Sequence, residues 1–329
     1  MASSITSSIS QWKPSADIKT HKGDSVPSNL IFFTPPPREL VNLRSASSTL
    51  ETGKPAQQID RFHASNKILA AVCFAFVGAL ITFLIVGIFL ADLLNLTSEN
   101  ENIPYIAAFI VGAIILFLML RGEWKLPTYC NYVADNGVAN HAYSKEANAK
   151  NGTGLFLFHQ AEELRVNKIQ QYVNRAYQYT TYIFEWRNAN DEIVFSINGL
   201  HRSREDNPPA LDRYYFALAA ERAWSLFKFE LVKQELEQNG TIKFRLQKDD
   251  AVIISKDYIE LFQKGNNIRF NSEEVDKVNI SRGVIQIIPK EVRPSFLGLN
   301  HDGILRIPYK DMANARIFIL VFDMLINKR

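Results

Sequence analysis

Two long apolar runs interrupt a chain in which polar and apolar positions are otherwise mixed. The first run, residues 68–94, contains one charged residue, Asp92, and the second run, residues 103–120, contains none. As helices they would be about 40 Å and about 27 Å long, and the hydrocarbon core of a bilayer is about 30 Å thick. The pattern therefore predicts a two-helix transmembrane hairpin, with a pair of buried core helices as the alternative.

Charge on either side of the two runs predicts an orientation. The loop between them, residues 95–102, contains acidic but no basic residues, whereas basic residues lie on both outer flanks. These flanking residues are Arg61, His63, Lys67, Arg121 and Lys125. Because basic residues concentrate on the cytoplasmic side, we expect an integral, multi-pass membrane protein with both termini in the cytoplasm.

Aromatic and small residues add detail to the predicted hairpin. Tyr105 and Trp124 bracket the second run, so we predict that they are membrane-interface anchors. Small residues recur four positions apart on both helices, namely Ala71, Ala75, Ala79, Ala108 and Gly112. Such faces allow helices to approach closely, either within one chain or between the subunits of a homo-oligomer, and the sequence leaves both open.

The remaining part of the chain, residues 126–329, shows two rounds of short strands followed by a helix. In the first round, segments 129–134 and 138–143 flank the turn Asn136-Gly137 and predict a hairpin. Further strands are expected at 155–158, 177–186 and 193–197, and then a helix that opens at Asn207-Pro208-Pro209 and stops at Asn239-Gly240.

The second round repeats this order of elements. Its strand candidates are segments 242–246, 251–255, 258–263, 268–270, 275–280, 284–288 and 303–308. The last apolar segment could pass for a strand at 317–322, but Met312, Ala315 and Ile319 follow a helical spacing. We therefore predict a helix at the end of the chain.

A helix that plugs the open end of a bent antiparallel sheet is typical of the pleckstrin-homology-like (PH-like) fold, and both rounds resemble it. The passage 251–288, with "EEVDKV" and "GVIQI", resembles the bacterial PH-like and GRAM-like pattern. Residues 126–329 resemble a family of uncharacterised bacterial membrane proteins with tandem PH-like cytoplasmic domains, through "YVADNGVANHAYS", "YTTYIFEW", "ALAAERAWSLFKFELVKQELEQNG" and "PYKDMANARIFILVFDMLI". The resemblance implies a fold and a membrane setting, but no activity.

Together these patterns predict an α+β chain in which a two-helix transmembrane hairpin precedes two PH-like domains. The expected division is a disordered cytoplasmic tail at 1–66, the hairpin at 67–124, PH-like domain 1 at 125–240 and PH-like domain 2 at 241–329. The tail is assigned as disordered because Ser, Thr, Pro, Lys and Gln dominate it and its apolar residues are scattered.

Composition and charge exclude several classes of protein. With 15 glycines, 13 prolines and 2 cysteines in 329 residues, the chain is neither collagen-like nor a disulfide scaffold. A net charge of +3 is too balanced to indicate a nucleic-acid partner. The charge is distributed as +3 before residue 68, −3 through 68–120 and +3 afterwards, which agrees with the predicted hairpin.

No recognisable catalytic, cofactor-binding or metal-binding motif occurs. The six histidines lack partners at metal-ligand spacing, and neither a glycine-rich phosphate loop nor a G-x-S-x-G motif is present. Cys130 lies in a predicted strand, where packing is the expected role. The densest polar cluster precedes the long helix, and its residues His201, Arg202 and Arg204 are candidate contacts for a partner or an anion, with a solvated loop as the alternative.

The function expected from the sequence is a membrane-anchored, non-catalytic binding or scaffolding protein. Its expected partners are the lipid bilayer and a protein, and no cofactor is predicted. One alternative is an oligomeric channel or transporter subunit gated by the cytoplasmic body, although neither apolar run has a charged residue in its interior. A second alternative is an enzyme with an unrecognised site.

Overall fold

The structure, a computed structural model, describes residues 12–52, 61–85, 103–121, 129–142, 154–248, 250–263, 265–290 and 304–327. The chain divides into two compact units. One unit, called the body below, combines Met1–Gly53 with Tyr129–Arg329, and the other, the helical unit, is Lys54–Thr128. The helical unit is therefore inserted in the sequence between two parts of the body.

The helical unit contains α1 (Arg61–Leu84) and α2 (Ile103–Arg121), which pack against each other through small residues. Ala71 and Ala75 are buried. A Cβ atom on Gly112 would lie 3.2 Å from the Cβ of Ala79, so a larger residue there would push the helices apart. Of the two pairings that the sequence left open, the structure thus shows the one within a single chain.

The predicted two-span membrane hairpin is wrong: among the helices that the structure describes, none is long and apolar enough to cross a membrane. Residues 86–94 of the first predicted span lie outside the described residues. The predicted localisation as an integral, multi-pass membrane protein depended on these spans, so that prediction is also wrong.

The two predicted interface anchors depended on the same assignment. The ring of Tyr105 is exposed and lies 5.0 Å from the ring of Phe83 on α1. Trp124 lies outside the described residues. Large apolar side chains, including Phe76 and Phe109, are exposed on the helical unit.

The first half of the body contains two antiparallel sheets and a long helix. The four-stranded sheet has the order β1 (Leu43–Ser48), β2 (Tyr129–Ala134), β3 (Gly137–Ala142) and β4 (Gly154–Leu157). The three-stranded sheet has the order β5 (Glu163–Val173), β6 (Ala176–Arg187) and β7 (Ile193–His201). The helix that follows is α3 (Arg213–Asn239). The predicted β2–β3 hairpin is confirmed. Helix α3 is capped by Asp212 rather than Asn207, and it ends at Gly240 with a φ of 70°, as predicted.

The second half repeats this order. Its four-stranded sheet contains β8 (Thr241–Arg245), β9 (Ala251–Ser255), β10 (Tyr258–Gln263) and β11 (Asn266–Asn271). Its three-stranded sheet contains β12 (Val275–Ser281), β13 (Val284–Pro289) and β14 (Leu305–Pro308). Its helix is α4 (Ala315–Asn327). The prediction of a helix rather than a strand at 317–322 is confirmed, because Ile317, Phe318, Val321 and Phe322 form one buried helical face.

The two halves share one apolar core, and Asn314 links them through hydrogen bonds. Its Oδ1 accepts from the backbone N–H of Leu164 and from Nε1 of Trp224, both at 3.0 Å. Its Nδ2 donates to the carbonyl oxygen of Glu162 at 3.2 Å. Buried apolar residues of both halves contribute to one shared cluster, and a second, smaller cluster includes Cys130 and Tyr132 of the first half.

The predicted disordered tail is wrong for residues 12–52, which pack onto the body. β1 pairs with β2 along the edge of the first sheet. Ile18 and Phe32 are buried with Cys130 and Tyr132 on the outer face of that sheet. The apolar residues of this segment are few, and Ile18 and Phe32 are among those that pack against the sheet. A sequence pattern does not reveal that arrangement.

The turn between β2 and β3 holds this N-terminal segment in place. The side chain of Asn136 accepts from the N–H of Val41 and donates to the carbonyl oxygen of Glu39, both at 2.8 Å. Nε of Arg44 donates to Asp135 at 2.5 Å. The Asp135-Asn136 turn thus both reverses the chain and binds residues 39–44.

His21 is buried where the N-terminal segment meets α3. Its Nδ1 lies 2.8 Å from Oγ of Ser45, and its ring centroid lies 5.2 Å from that of Phe216. Burial lowers the pKa of His21 to about 3, so the side chain is neutral at pH 7.

Candidate functional site

Polar residues replace apolar ones at one end of the inner face of the β5–β6–β7 sheet. Alternate residues of β5 point inward, and after Leu164 and Val166 the next such position is Lys168. Lys168 pairs with Tyr182 on β6, and His201 ends β7 opposite Thr180. The sheet register therefore places a lysine and a histidine in neighbouring rows at the edge of the core.

A close backbone approach at Gly199 makes this arrangement possible. Gly199 lies opposite Tyr182, and a Cβ atom at this position would collide with the Tyr182 hydroxyl group. Glycine thus allows the Tyr182 ring to lie flat across β7. The ring then stacks on His201, with their centroids 6.1 Å apart.

His201 is the buried centre of a group that we call the His201 cluster, which consists of His201, Asp206, Lys168 and Tyr214. Its side chain is 1% exposed, and Nε2 lies 3.5 Å from Oδ1 of Asp206. The ring also lies 4.7 Å from that of Tyr214, near the start of α3. Both ring nitrogens are inaccessible to solvent.

Lys168 and Asp206 tie the cluster to the loop that follows β7. Nζ of Lys168 donates to Oδ2 of Asp206 at 2.6 Å and to the hydroxyl oxygen of Tyr214 at 2.7 Å. Asp206 has a φ of 54°, in the left-handed region that few residues other than glycine adopt. The lysine thereby holds the loop in a backbone conformation that is unfavourable by itself.

Burial and hydrogen bonding act on the protonation states of the cluster. Burial lowers the pKa of His201, and the negative charge of Asp206 only partly opposes this effect. Burial also acts to lower the pKa of Lys168, but its bonds to Asp206 and Tyr214 outweigh that effect and raise the pKa overall. At neutral pH the cluster therefore contains a charged lysine beside a neutral histidine.

The segment 202–205, called the arginine loop below, is held by its backbone. The hydroxyl group of Tyr177 donates to the carbonyl oxygen of Ser203 at 3.0 Å. Nε2 of Gln170 donates to the carbonyl oxygen of Arg204 at 3.4 Å. Since these bonds engage the main chain, the side chains of Arg202 and Arg204 extend from the loop and are exposed.

The tip of the β5–β6 hairpin projects beyond β7, whose last residue pairs with Thr180. Asn174 and Arg175 have φ values of 49° and 66°, as a tight two-residue hairpin turn requires. Tyr172 is 46% exposed and Val173 is 58% exposed. Together with the arginine loop, these tip residues form what we call the hairpin–loop surface: Tyr172, Val173, Arg175, Arg202 and Arg204.

The structure separates the three residues predicted to contact a partner. Arg202 and Arg204 are exposed on the loop, whereas His201 is buried beneath it. Sequence reasoning missed Lys168 and Tyr214, and it included Asp206 in the polar cluster without assigning it a contact. The polar residue at an inward position of β5 was an available signal, but it could only be used once β5 itself was recognised.

Other features of the described residues bear on metal binding, on a small cavity and on the reactivity of Cys130. They contain no group of three side chains suited to binding a metal ion. A cavity of about 10 Å³ between α3 and α4, lined by Glu221, Tyr309 and Arg316, has room for one water molecule. Cys130 is buried, as expected of a packing residue, and burial raises the pKa of its thiol, which disfavours the reactive thiolate.

Comparison with known proteins identifies no protein-family model that matches the chain, and no curated protein that matches it. The resemblance to bacterial proteins with tandem PH-like domains therefore stays a prediction.

Proposed function

We propose that the protein is a non-catalytic binding or scaffolding protein and that a partner binds at the hairpin–loop surface. One observation carries the proposal: the backbone of the arginine loop is fixed by Tyr177 and Gln170 while its arginine side chains remain exposed. A loop that is already ordered loses less conformational entropy when a partner binds. Arginine and tyrosine are also enriched at protein interfaces.

The order of elements supports a tandem PH-like body as part of this proposal. Each half contains a four-stranded sheet, a three-stranded sheet and a C-terminal helix. Folds of this kind commonly present loops at one end of a rigid sheet scaffold, and the hairpin–loop surface lies at such an end.

Two observations bear on the alternative functions. The His201–Asp206 pair has the composition of an acid–base pair, but no substrate can reach the His201 ring nitrogens, which are buried. This burial favours binding over catalysis. The channel alternative depended on membrane-spanning helices, and the described residues contain none.

Photo-crosslinking in cells tests the proposal. A photo-reactive amino acid placed at Val173, which is 58% exposed, should form a discrete crosslinked species with a partner. The matched control is Leu226 on α3, which is 65% exposed and lies outside the hairpin–loop surface. We expect the Val173 crosslink to disappear when Arg202→Glu and Arg204→Glu are combined.

Two comparisons decide the test: crosslinking from Val173 against crosslinking from Leu226, and crosslinking in the parent protein against crosslinking in the double variant. Identical crosslinks from Val173 and Leu226, or a Val173 crosslink that the two charge reversals leave unchanged, would contradict the proposal. Circular dichroism of the double variant must match the parent protein, and the exposure of both arginines leads us to expect that it will.

A further inference from the structure

We infer that the segment that binds the hairpin–loop surface is an anionic peptide, rich in aspartate and glutamate and containing an apolar side chain. This inference rests on the proposed function and names the chemistry of its partner. The surface presents three exposed cationic residues, Arg175, Arg202 and Arg204, and the neighbouring acidic residue of the arginine loop, Glu205, is also exposed. A peptide with the opposite charge pattern would complement it.

The nearby charges of the His201 cluster do not cancel this positive potential. Lys168 and Asp206 neutralise each other across 2.6 Å. Because the histidine beside them is neutral at pH 7, the cluster contributes no net charge. Among the exposed charges there, the three arginines outnumber Glu205, so the sum of these charges is positive.

Two of these arginines are available for a ligand. Arg175 and Arg204 form no ion pair within the described part of the chain. A guanidinium group binds a carboxylate through two parallel hydrogen bonds, which gives geometric selectivity as well as attraction. Binding an acidic segment would thus not require breaking an ion pair at either residue.

The inference that the bound peptide contains an apolar side chain rests on the tip of the β5–β6 hairpin. Tyr172 and Val173 are exposed beside the arginines, and the Tyr172 ring is oriented by an edge-to-face contact with Tyr177 at 5.9 Å. The Tyr172 hydroxyl also donates to Gln170 at 2.9 Å. A tyrosine with a fixed orientation offers apolar area at little entropic cost, so it would bind an apolar side chain next to the acidic ones.

Peptide titrations with the purified full-length chain test the inference. The probes are a short fluorescent peptide rich in glutamate with one leucine, a copy with glutamine in place of glutamate, and a copy with phosphoserine in place of glutamate. We expect the glutamate peptide to bind about tenfold more tightly than the glutamine copy and to weaken as salt is raised. The phosphoserine copy shows whether carboxylate or phosphate is the preferred anion.

Matched charge reversals locate the binding. Arg202→Glu with Arg204→Glu should weaken binding of the glutamate peptide about tenfold or more. The control, Arg222→Glu with Arg306→Glu, makes the same change in net charge at two exposed positions outside the surface. It should change the affinity no more than about twofold.

Three outcomes would overturn the inference: equal binding of the glutamate and glutamine peptides, equal effects of the two double variants, or arginine-dependent binding to anionic lipid vesicles without binding to either anionic peptide. A Val173 crosslink that depends on the arginines would still stand in those cases, and only the chemistry of the partner would be refuted. If that crosslink is also absent, the proposed function fails as well.

Discussion

The two halves of the body contain the same order of elements, but the chain supplies those elements differently. The second half runs without interruption from β8 to α4. The first half takes its edge strand, β1, from residues that precede the helical unit, and its other elements from residues that follow it. A strand that is distant in sequence must be held by specific contacts, and the first half provides them at Asp135, Asn136 and His21.

The interiors of the two halves differ in the number of polar residues that they bury. Fourteen polar or charged residues of the described chain are buried, and only Ser255 and Ser272 among them belong to the second half. The second half therefore follows the simple rule that apolar residues point inward. The first half uses buried polar groups where separate segments meet, and each such group needs a hydrogen-bond partner.

Removal of the N-terminal segment should have the largest effect and should distinguish the halves most clearly. Deleting residues 1–52 removes β1, Ile18 and Phe32, and exposes the outer face of β2 and β3. We expect the body to lose its cooperative thermal transition, because burial of a single Phe side chain is commonly worth about 3–5 kcal/mol. Differential scanning calorimetry measures this change.

Complementation is the control for that deletion. A synthetic peptide covering residues 12–52, added to the truncated chain, should restore a cooperative transition, because the segment docks through contacts that need no covalent link. A truncated chain that already unfolds like the full-length protein would show that the first half does not depend on this segment.

The next largest effect is expected at Asn314, which joins the halves. Asn314→Ala leaves the N–H of Leu164 and Nε1 of Trp224 without an acceptor, at a cost of about 1–3 kcal/mol for each buried donor. We expect a fall of about 3 kcal/mol in the free energy of unfolding, measured by urea denaturation followed by tryptophan fluorescence.

Asn314→Gly is the matched control, because Asn314 has a φ of 54° that glycine accepts without strain. The glycine variant loses the same hydrogen bonds and should be destabilised by slightly less. If both variants unfold within about 0.5 kcal/mol of the parent, Asn314 does not link the halves energetically.

An effect that is small at neutral pH and grows as the pH decreases should appear at His21. Its folded pKa of about 3 lies below the unfolded value of 6.5, so between those values the unfolded chain binds a proton that the folded chain does not. Stability should therefore fall as the pH decreases from 6.5 towards 3, by up to about 1.4 kcal/mol per pH unit. His21→Gln should remove this part of the pH dependence.

Hydrogen exchange over the same range of pH compares the stability of the two halves. As the pH decreases, and after correction for intrinsic exchange rates, amides of β2 and β3 should lose protection before those of β9 and β10, since no histidine lies in the described part of the second half. Parallel stability curves for the parent and His21→Gln would show that burial of this histidine has no energetic effect.

The same contrast explains which elements could be predicted from sequence. Strands β9 and β10 match their predicted bounds, because alternating burial and clear turns mark them. β1 could not be predicted, since Leu43–Ser48 reads "LRSASS" and its burial depends on a partner strand far along the chain. β5 was missed because its inward row changes from Leu164 and Val166 to Lys168, which removes the apolar alternation.

The candidate site shows the same limit. The arginines of the loop were visible as a dense polar cluster, and they are exposed as a binding residue must be. The group beneath them combines β5, β7 and the start of α3, and only the sheet register and the position of the helix bring those elements together. Such convergence is a tertiary property that local spacing does not encode.

The separation of β1 from β2 also has a consequence for the order of events during protein synthesis. Ser48 pairs with Cys130, which is 82 residues further along the chain. At about 5–20 residues per second, the ribosome needs roughly 4–16 s after completing β1 to synthesise its partner. A serine-rich strand with few apolar residues suits that interval, because it has little tendency to aggregate before its partner arrives.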